Sequence, residues 1–139
     1  MKLLETTHSY AFLDIGPIAP KHSLVIPKHH AAKLHELPDE YLADLLPVAK
    51  KVALASGAEQ YNVLQNNGRM AHQLVDHVHF HVIPKPDEQQ GLGVGWPATQ
   101  PEKEELQKVG SLASLHAHSA DGWPRPDLRR AQGEAVMLV

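Results

Sequence analysis

The chain has 139 residues, of which 42% are hydrophobic and 21% charged, with a formal net charge of −3 when histidine is counted neutral. That length and mix predict one globular domain able to bury a core, and the charge balance offers no footprint for a nucleic acid or an acidic membrane surface. With no cysteine in the chain, disulfides, thiolate nucleophiles and cysteine zinc sites are excluded.

The N-terminus, "MKLLETTHSY", has no apolar run of signal-peptide length, and no window approaches a transmembrane span. The expectation is therefore a soluble intracellular protein, cytoplasmic or nuclear. Tyr10–Ile15 and Ser23–Ile26 read as two strands rich in apolar and β-branched residues. Gly16-Pro17 and Ala19-Pro20 punctuate the turn between them, which gives an antiparallel hairpin. The period then changes. Leu42, Leu45, Leu46, Ala49, Val52 and Ala53 recur at steps of three and four, the stripe of an amphipathic helix. Asp39 and Glu40 suit its start, Lys50 and Lys51 its end, and Gly57 its stop. Pro47 falls inside it and is expected to kink it.

Tyr61–Gln65 returns to strand, Asn66-Asn67-Gly68 is a turn signal, and Asp76–Ile83 is the next strand, ended by Pro84 and Pro86. The Gly/Pro-rich "EQQGLGVGWPATQP" is loop, and Glu102–His118 a helix with Leu106, Val109 and Leu112 or Ala113 facing inward. After "ADGWPRP" the chain reads as a loosely ordered tail. The second "GWP", at 122–124, repeats the one at 95–97, with no longer repeat around it.

Histidine is the compositional outlier, with 11 copies. In "DHVHFHVIPKP" His77, His79 and His81 alternate with Val78, Phe80 and Val82. On a strand, alternate residues share a face, so the valines and phenylalanine enter a core and the imidazoles line the opposite surface. A lone strand histidine is usually an ordinary hydrogen-bonded polar residue. Three in register call for a reason, because a protonated row would repel itself. Two readings follow. Paired histidines at alternate strand positions can hold zinc, given a further ligand and supporting carboxylates. Alternatively, a neutral imidazole attacks phosphorus and forms a covalent intermediate, while its neighbours bind the charged oxygens. Asn66, Gln73 and the turn amides are candidate anion donors. Asp14 is a candidate acceptor for ribose hydroxyls, and His22, before "LVIPK", is able to share the triad surface.

The segments "FLDIGPIAPKHSLVIPKHH" and "YNVLQNNGRMAHQLVDHVHFHVIP" resemble the histidine triad (HIT) superfamily, whose motif is His-x-His-x-His with apolar residues between. The match runs over roughly 9–97 and, with the downstream "GWP", is most similar to the Hint branch in its fungal form. The resemblance implies an α+β, HIT-like fold. It has an antiparallel sheet of about five strands per subunit, continued across a homodimer, with one main helix and a C-terminal helix or tail. A HIT domain over 1–100, short at its N-terminus, would precede a C-terminal helix and tail over 101–139.

It also implies a purine nucleoside phosphoramidate hydrolase that works through a nucleotidyl-phosphohistidine and releases AMP and an amine. No metal or other cofactor is required; AMP is the expected product and ligand. His79 matches the nucleophile. The backbone carbonyl of His77 would orient it, His81 would contact the α-phosphate, and His22 would back the triad. Asp14 matches the ribose-binding carboxylate, with Phe12, Leu13 and Ile15 beside the base. Asn66, His72, Gln73, Leu74 and Val75 match the loop around the phosphate and leaving group, and Trp96 a residue that reaches the partner subunit's site. A histidine at position 81, where the transferase branch has glutamine, favours hydrolysis. Many relatives carry Ser or Thr where this chain has Leu74, so leaving-group protonation falls to Gln73 or water. The alternatives are a dinucleoside polyphosphate hydrolase, a nucleotide-binding module with little turnover, and a zinc hydrolase.

Overall fold

The computed structural model describes residues 1–120. Five strands appear in chain order: β1 (Lys2–Glu5), β2 (Ser9–Leu13), β3 (Ser23–Pro27), β4 (Tyr61–Gln65) and β5 (Phe80–Pro84). The main helix, α1 (Asp39–Ser56), lies between β3 and β4, and α2 (Lys103–Ala120) follows the sheet. The strands form one antiparallel sheet in the order β1-β2-β3-β5-β4. Two compact units result, one over Met1–Val94 and a second that begins at Gly95. Among the described residues no helix is long and apolar enough to cross a membrane. The tail expected after "ADGWPRP", and the second "GWP", lie outside the described residues.

The alternation in each strand sorts the two faces of the sheet. Ala11, Val25 and Val82 are fully buried beneath α1, where Leu45, Val48, Ala49 and Val52 meet them. The opposite parity, Phe12 of β2, Leu24 and Ile26 of β3, Leu64 of β4 and His81 and Ile83 of β5, lines a cavity. The registers Phe12↔Leu24, Leu24↔His81 and Leu64↔His81 put these side chains in one row.

The main helix starts at Asp39 and ends at Ser56, with Gly57 in the left-handed region (φ 70°), where a residue without Cβ is unstrained. Its last turn holds no basic residue; Lys50 and Lys51 sit too far back. The cation at that end comes from Lys21, whose Nζ donates to the Ser56 carbonyl at 2.6 Å.

One strand is unexpected, and three expectations need correction. Lys2–Glu5 is a strand, paired with β2, although its sequence gives little alternation. The first hairpin strand stops at Leu13, because Asp14 turns the chain: its Oδ1 accepts the Gly16 N–H at 2.8 Å. The strand expected over Asp76–Ile83 begins only at Phe80. Phe80 pairs with Val25 and with Gln65, the last residue of β4. Before it the ladder has run out, and the Val78 N–H goes instead to the Ala31 carbonyl, at 2.8 Å. Lastly, Leu106, Val109 and Leu112 of α2 are exposed rather than inward-facing.

Candidate active site

The cavity on the open face has a volume of about 790 Å³. All three triad histidines line it, with His22, Asp14, Phe12 and Ile15 from the β2–β3 hairpin and Asn66, His72, Leu74 and Val75 from the loop after β4. His81 alone of the triad sits within β5; His79 and His77 precede it in irregular chain. The alternation persists into that segment because Val78 is fully buried.

Hydrogen bonds fix the tautomer of each neutral ring. The His77 carbonyl lies 2.7 Å from His79 Nδ1. A carbonyl only accepts, so His79 carries its proton on Nδ1, and Nε2 is left with its lone pair. A second chain starts at the backbone. The Ile18 N–H donates to His22 Nδ1 at 3.3 Å, so the neutral His22 ring carries its proton on Nε2. That Nε2–H reaches His81 Nδ1 at 2.9 Å. His81 therefore accepts on Nδ1 and has a donor on Nε2. The rings of His79 and His81 meet edge to face, with centroids 5.0 Å apart.

The electrostatics of the site disfavour the charged form of His81 and of His22. Burial, reinforced by His79 and His22, holds His81 down to about 4, against the opposing pull of the Asp14 carboxylate. Burial also lowers His22, again with Asp14 opposing. Asp14 Oδ2 lies 3.4 Å from His22 Nε2 and 3.8 Å from His81 Nδ1.

Asp14, His22 and His81 are also the described residues whose ligand atoms come close enough together to suggest a metal site. The spacing argues for a hydrogen bond instead. Two nitrogens on a tetrahedral zinc, each about 2.05 Å from it, stand roughly 3.3 Å apart, whereas His22 Nε2 and His81 Nδ1 are 2.9 Å apart and each has a role in a donor–acceptor chain.

Two residues expected at the site do not reach the cavity. Leu13 has the parity of Ala11, toward α1. Gln73 is 1% exposed and both N–H donors of its amide are committed. Its Oε1 accepts the Gly68 N–H at 2.6 Å, and its Nε2 donates to the Ala32 and Val75 carbonyls at 2.6 and 3.0 Å. It clamps the loop and cannot also donate to a leaving group. Trp96 belongs to the second unit and is largely exposed. Sequence reasoning missed Ile18, Leu24, Ile26, Leu64, Ile83 and Leu92, which complete the apolar wall. The parity of Leu24 and Ile26 against buried Val25 was the available signal; Leu92 had none, because a loop carries no periodicity.

Comparison with known proteins adds the following. Residues 1–88 match the HIT domain model. The chain is 64% identical over 114 residues to the adenosine 5′-monophosphoramidase of Schizosaccharomyces pombe, covering 82% of this chain and 86% of that protein. Against the adenosine 5′-monophosphoramidase of Candida albicans the identity is 59% over 119 residues, with 80% and 76% covered. The crystal structure of a histidine triad nucleotide-binding protein from Candida albicans superposes with a TM-score of 0.82 at 54% identity, covering 86% of this chain and 90% of that one. A HIT family protein from Bacillus subtilis superposes with a TM-score of 0.77 at 34% identity, covering 82% and 85%.

Proposed function

The chain belongs to the HIT family, and on that premise we propose that it is a nucleoside phosphoramidate hydrolase, an adenosine 5′-monophosphoramidase with His79 as its nucleophile. The observation that carries the reading is the 2.7 Å contact from His79 Nδ1 to the His77 carbonyl, which leaves the Nε2 lone pair free at the cavity wall. Attack by Nε2 on the α-phosphorus forms a P–N bond to histidine and breaks the P–N bond to the amine. The amine leaves with a proton from water, since Leu74 carries no hydroxyl and the Gln73 amide is engaged. The phosphorylated ring is cationic, with Nδ1–H still on the His77 carbonyl, and that acceptor stabilises the developing charge. Neutral His81 offers Nε2–H to a phosphoryl oxygen. Water then attacks phosphorus, neutral His79 departs, and AMP is released.

Phe12 and Ile15, with the β3 wall of Leu24 and Ile26, supply an apolar seat for the base, and Asp14 is the carboxylate within reach of a ribose. The reading uses no metal ion or other cofactor. It includes a homodimer: the edge strand β4 presents Tyr61 and Val63, and α1 presents Leu46 and Leu54, as exposed apolar side chains. Trp96 belongs to this reading as the contact with the partner subunit's site.

The test is trapping with an adenosine phosphoramidate labelled at phosphorus, in the presence and absence of a chelator. The expected result is chelator-insensitive release of AMP and an acid-labile adduct on His79. An adduct that survives in His79→Ala would overturn the assignment. Faster turnover of diadenosine polyphosphates would favour the other hydrolase class.

A further inference from the structure

His79 is aimed by the carbonyl of a residue that no sheet ladder holds. His77 lies three positions before β5 starts, so its backbone is fixed by ties of its own. Its N–H donates to the Val75 carbonyl at 2.9 Å, and the following N–H, of Val78, to the Ala31 carbonyl at 2.8 Å. Its ring makes two more. His77 Nε2 lies 3.0 Å from the Pro27 carbonyl, and His77 Nδ1 lies 3.1 Å from Nδ1 of His30, with ring centroids 5.3 Å apart. The Pro27 carbonyl only accepts, so Nε2 of His77 is its donor. In the neutral ring Nδ1 is then the acceptor, and His30 must carry the proton between them.

We propose that His30, an exposed residue outside the cavity lining, is a positioning residue for the nucleophile. Its Nδ1–H holds the His77 ring against β3, and so keeps the His77 carbonyl on line with His79 Nδ1. This rests on His79 being the nucleophile, but the coupling from His30 to His79 stands on geometry alone and has its own readout. The mechanism needs the hydrogen bond donor rather than the ring. Asparagine at this position offers a donor without the ring; phenylalanine offers the ring without the donor.

Three variants, His30→Ala, His30→Phe and His30→Asn, are compared with the wild type by steady-state hydrolysis of an adenosine phosphoramidate. In parallel, NMR follows solvent exchange of the His79 Nδ1 proton. The expected result is a fall in kcat of about 3- to 10-fold in the Ala and Phe variants, the range that an ordinary neutral hydrogen bond corresponds to. KM should be unchanged, and the Asn variant should recover most of the loss. The His79 Nδ1 proton should exchange several-fold faster in the Ala and Phe variants than in the wild type or the Asn variant.

A kcat within twofold of wild type in His30→Ala, equal losses in Ala and Asn, or a change confined to KM would overturn the proposal while leaving the hydrolase reading intact. If the wild type proves inactive on phosphoramidates, it is the hydrolase reading that fails. The exchange rates then still decide whether His30 restrains His79, with equal rates in all four proteins counting against it.

Discussion

Beneath α1 the sheet is closed by Ala11, Val25 and Val82 packed on Leu45, Val48 and Ala49, all of them nearly or fully excluded from solvent. On its other face Leu24, Ile26 and Leu64 are only half covered and share a 790 Å³ cavity with five histidines. The same strands build both surfaces, one residue out of step. The difference lies in what is left unfilled. The helix side uses its apolar groups in packing, and the open side leaves a concavity lined by the triad.

That division is sharpest if each side can be damaged without the other. The largest effect is expected from His79→Ala, which removes the nucleophile but no core contact. Phosphoramidate turnover should fall by about 10⁴-fold or more, with the urea midpoint unchanged. A large loss of stability would show that the cavity side also holds the fold. Next comes Leu45→Ala, the converse experiment. Leu45 is fully buried, and truncation should cost about 3–5 kcal/mol in denaturant unfolding. The folded fraction should keep wild-type KM.

The open face has a cost of its own, visible in pH. His81 is held at about 4, below its ordinary value of 6.5. Between those values the unfolded chain binds the proton more readily than the folded one, so stability rises with pH there. It should therefore be lost as pH falls from above 6.5 toward about 4, by about 2 kcal/mol after allowance for partial exposure. His22 is shifted in the same direction and adds to the slope. Urea midpoints across this range should fall less steeply for His81→Gln than for the wild type; parallel curves would count against a neutral His81. The smallest effect is expected from Leu24→Ala. It should cost only about 1 kcal/mol of stability, since the side chain is half covered, and raise KM several-fold with little change in kcat. A loss as large as that of Leu45→Ala would erase the contrast between the faces.

The two faces were unequally legible in the sequence. The helix side announces itself through a 3.6-residue period in α1 and single alternations in β2 and β3, which is why α1 and β4 match the elements expected of them and the hairpin departs only where its first strand ends. The triad also announces itself, since three imidazoles at every second position need one face. What did not transfer was the inference that they share a strand. Alternation reports burial, and Val78 is buried without a ladder, by the tie of its N–H to Ala31. Gln73 misleads for a related reason. A glutamine beside a glycine turn reads as a ligand donor, and only the positions of Ala32 and Val75 reveal that its amide has no donor left. Leu106 and Val109 err the other way: helical spacing predicts an inward stripe, yet both are exposed.

The sequence by itself determined the hairpin, the main helix and the residue types of the site, because periodicity and side-chain chemistry are local properties, and the resemblance to the HIT superfamily supplied the α+β class. Tertiary structure decided which nitrogen of each histidine holds a proton. For His81 and His77 that choice is made by groups distant in the chain, His22 and the Pro27 carbonyl. A tautomer depends on which donors and acceptors surround the ring, and only the folded chain brings those together.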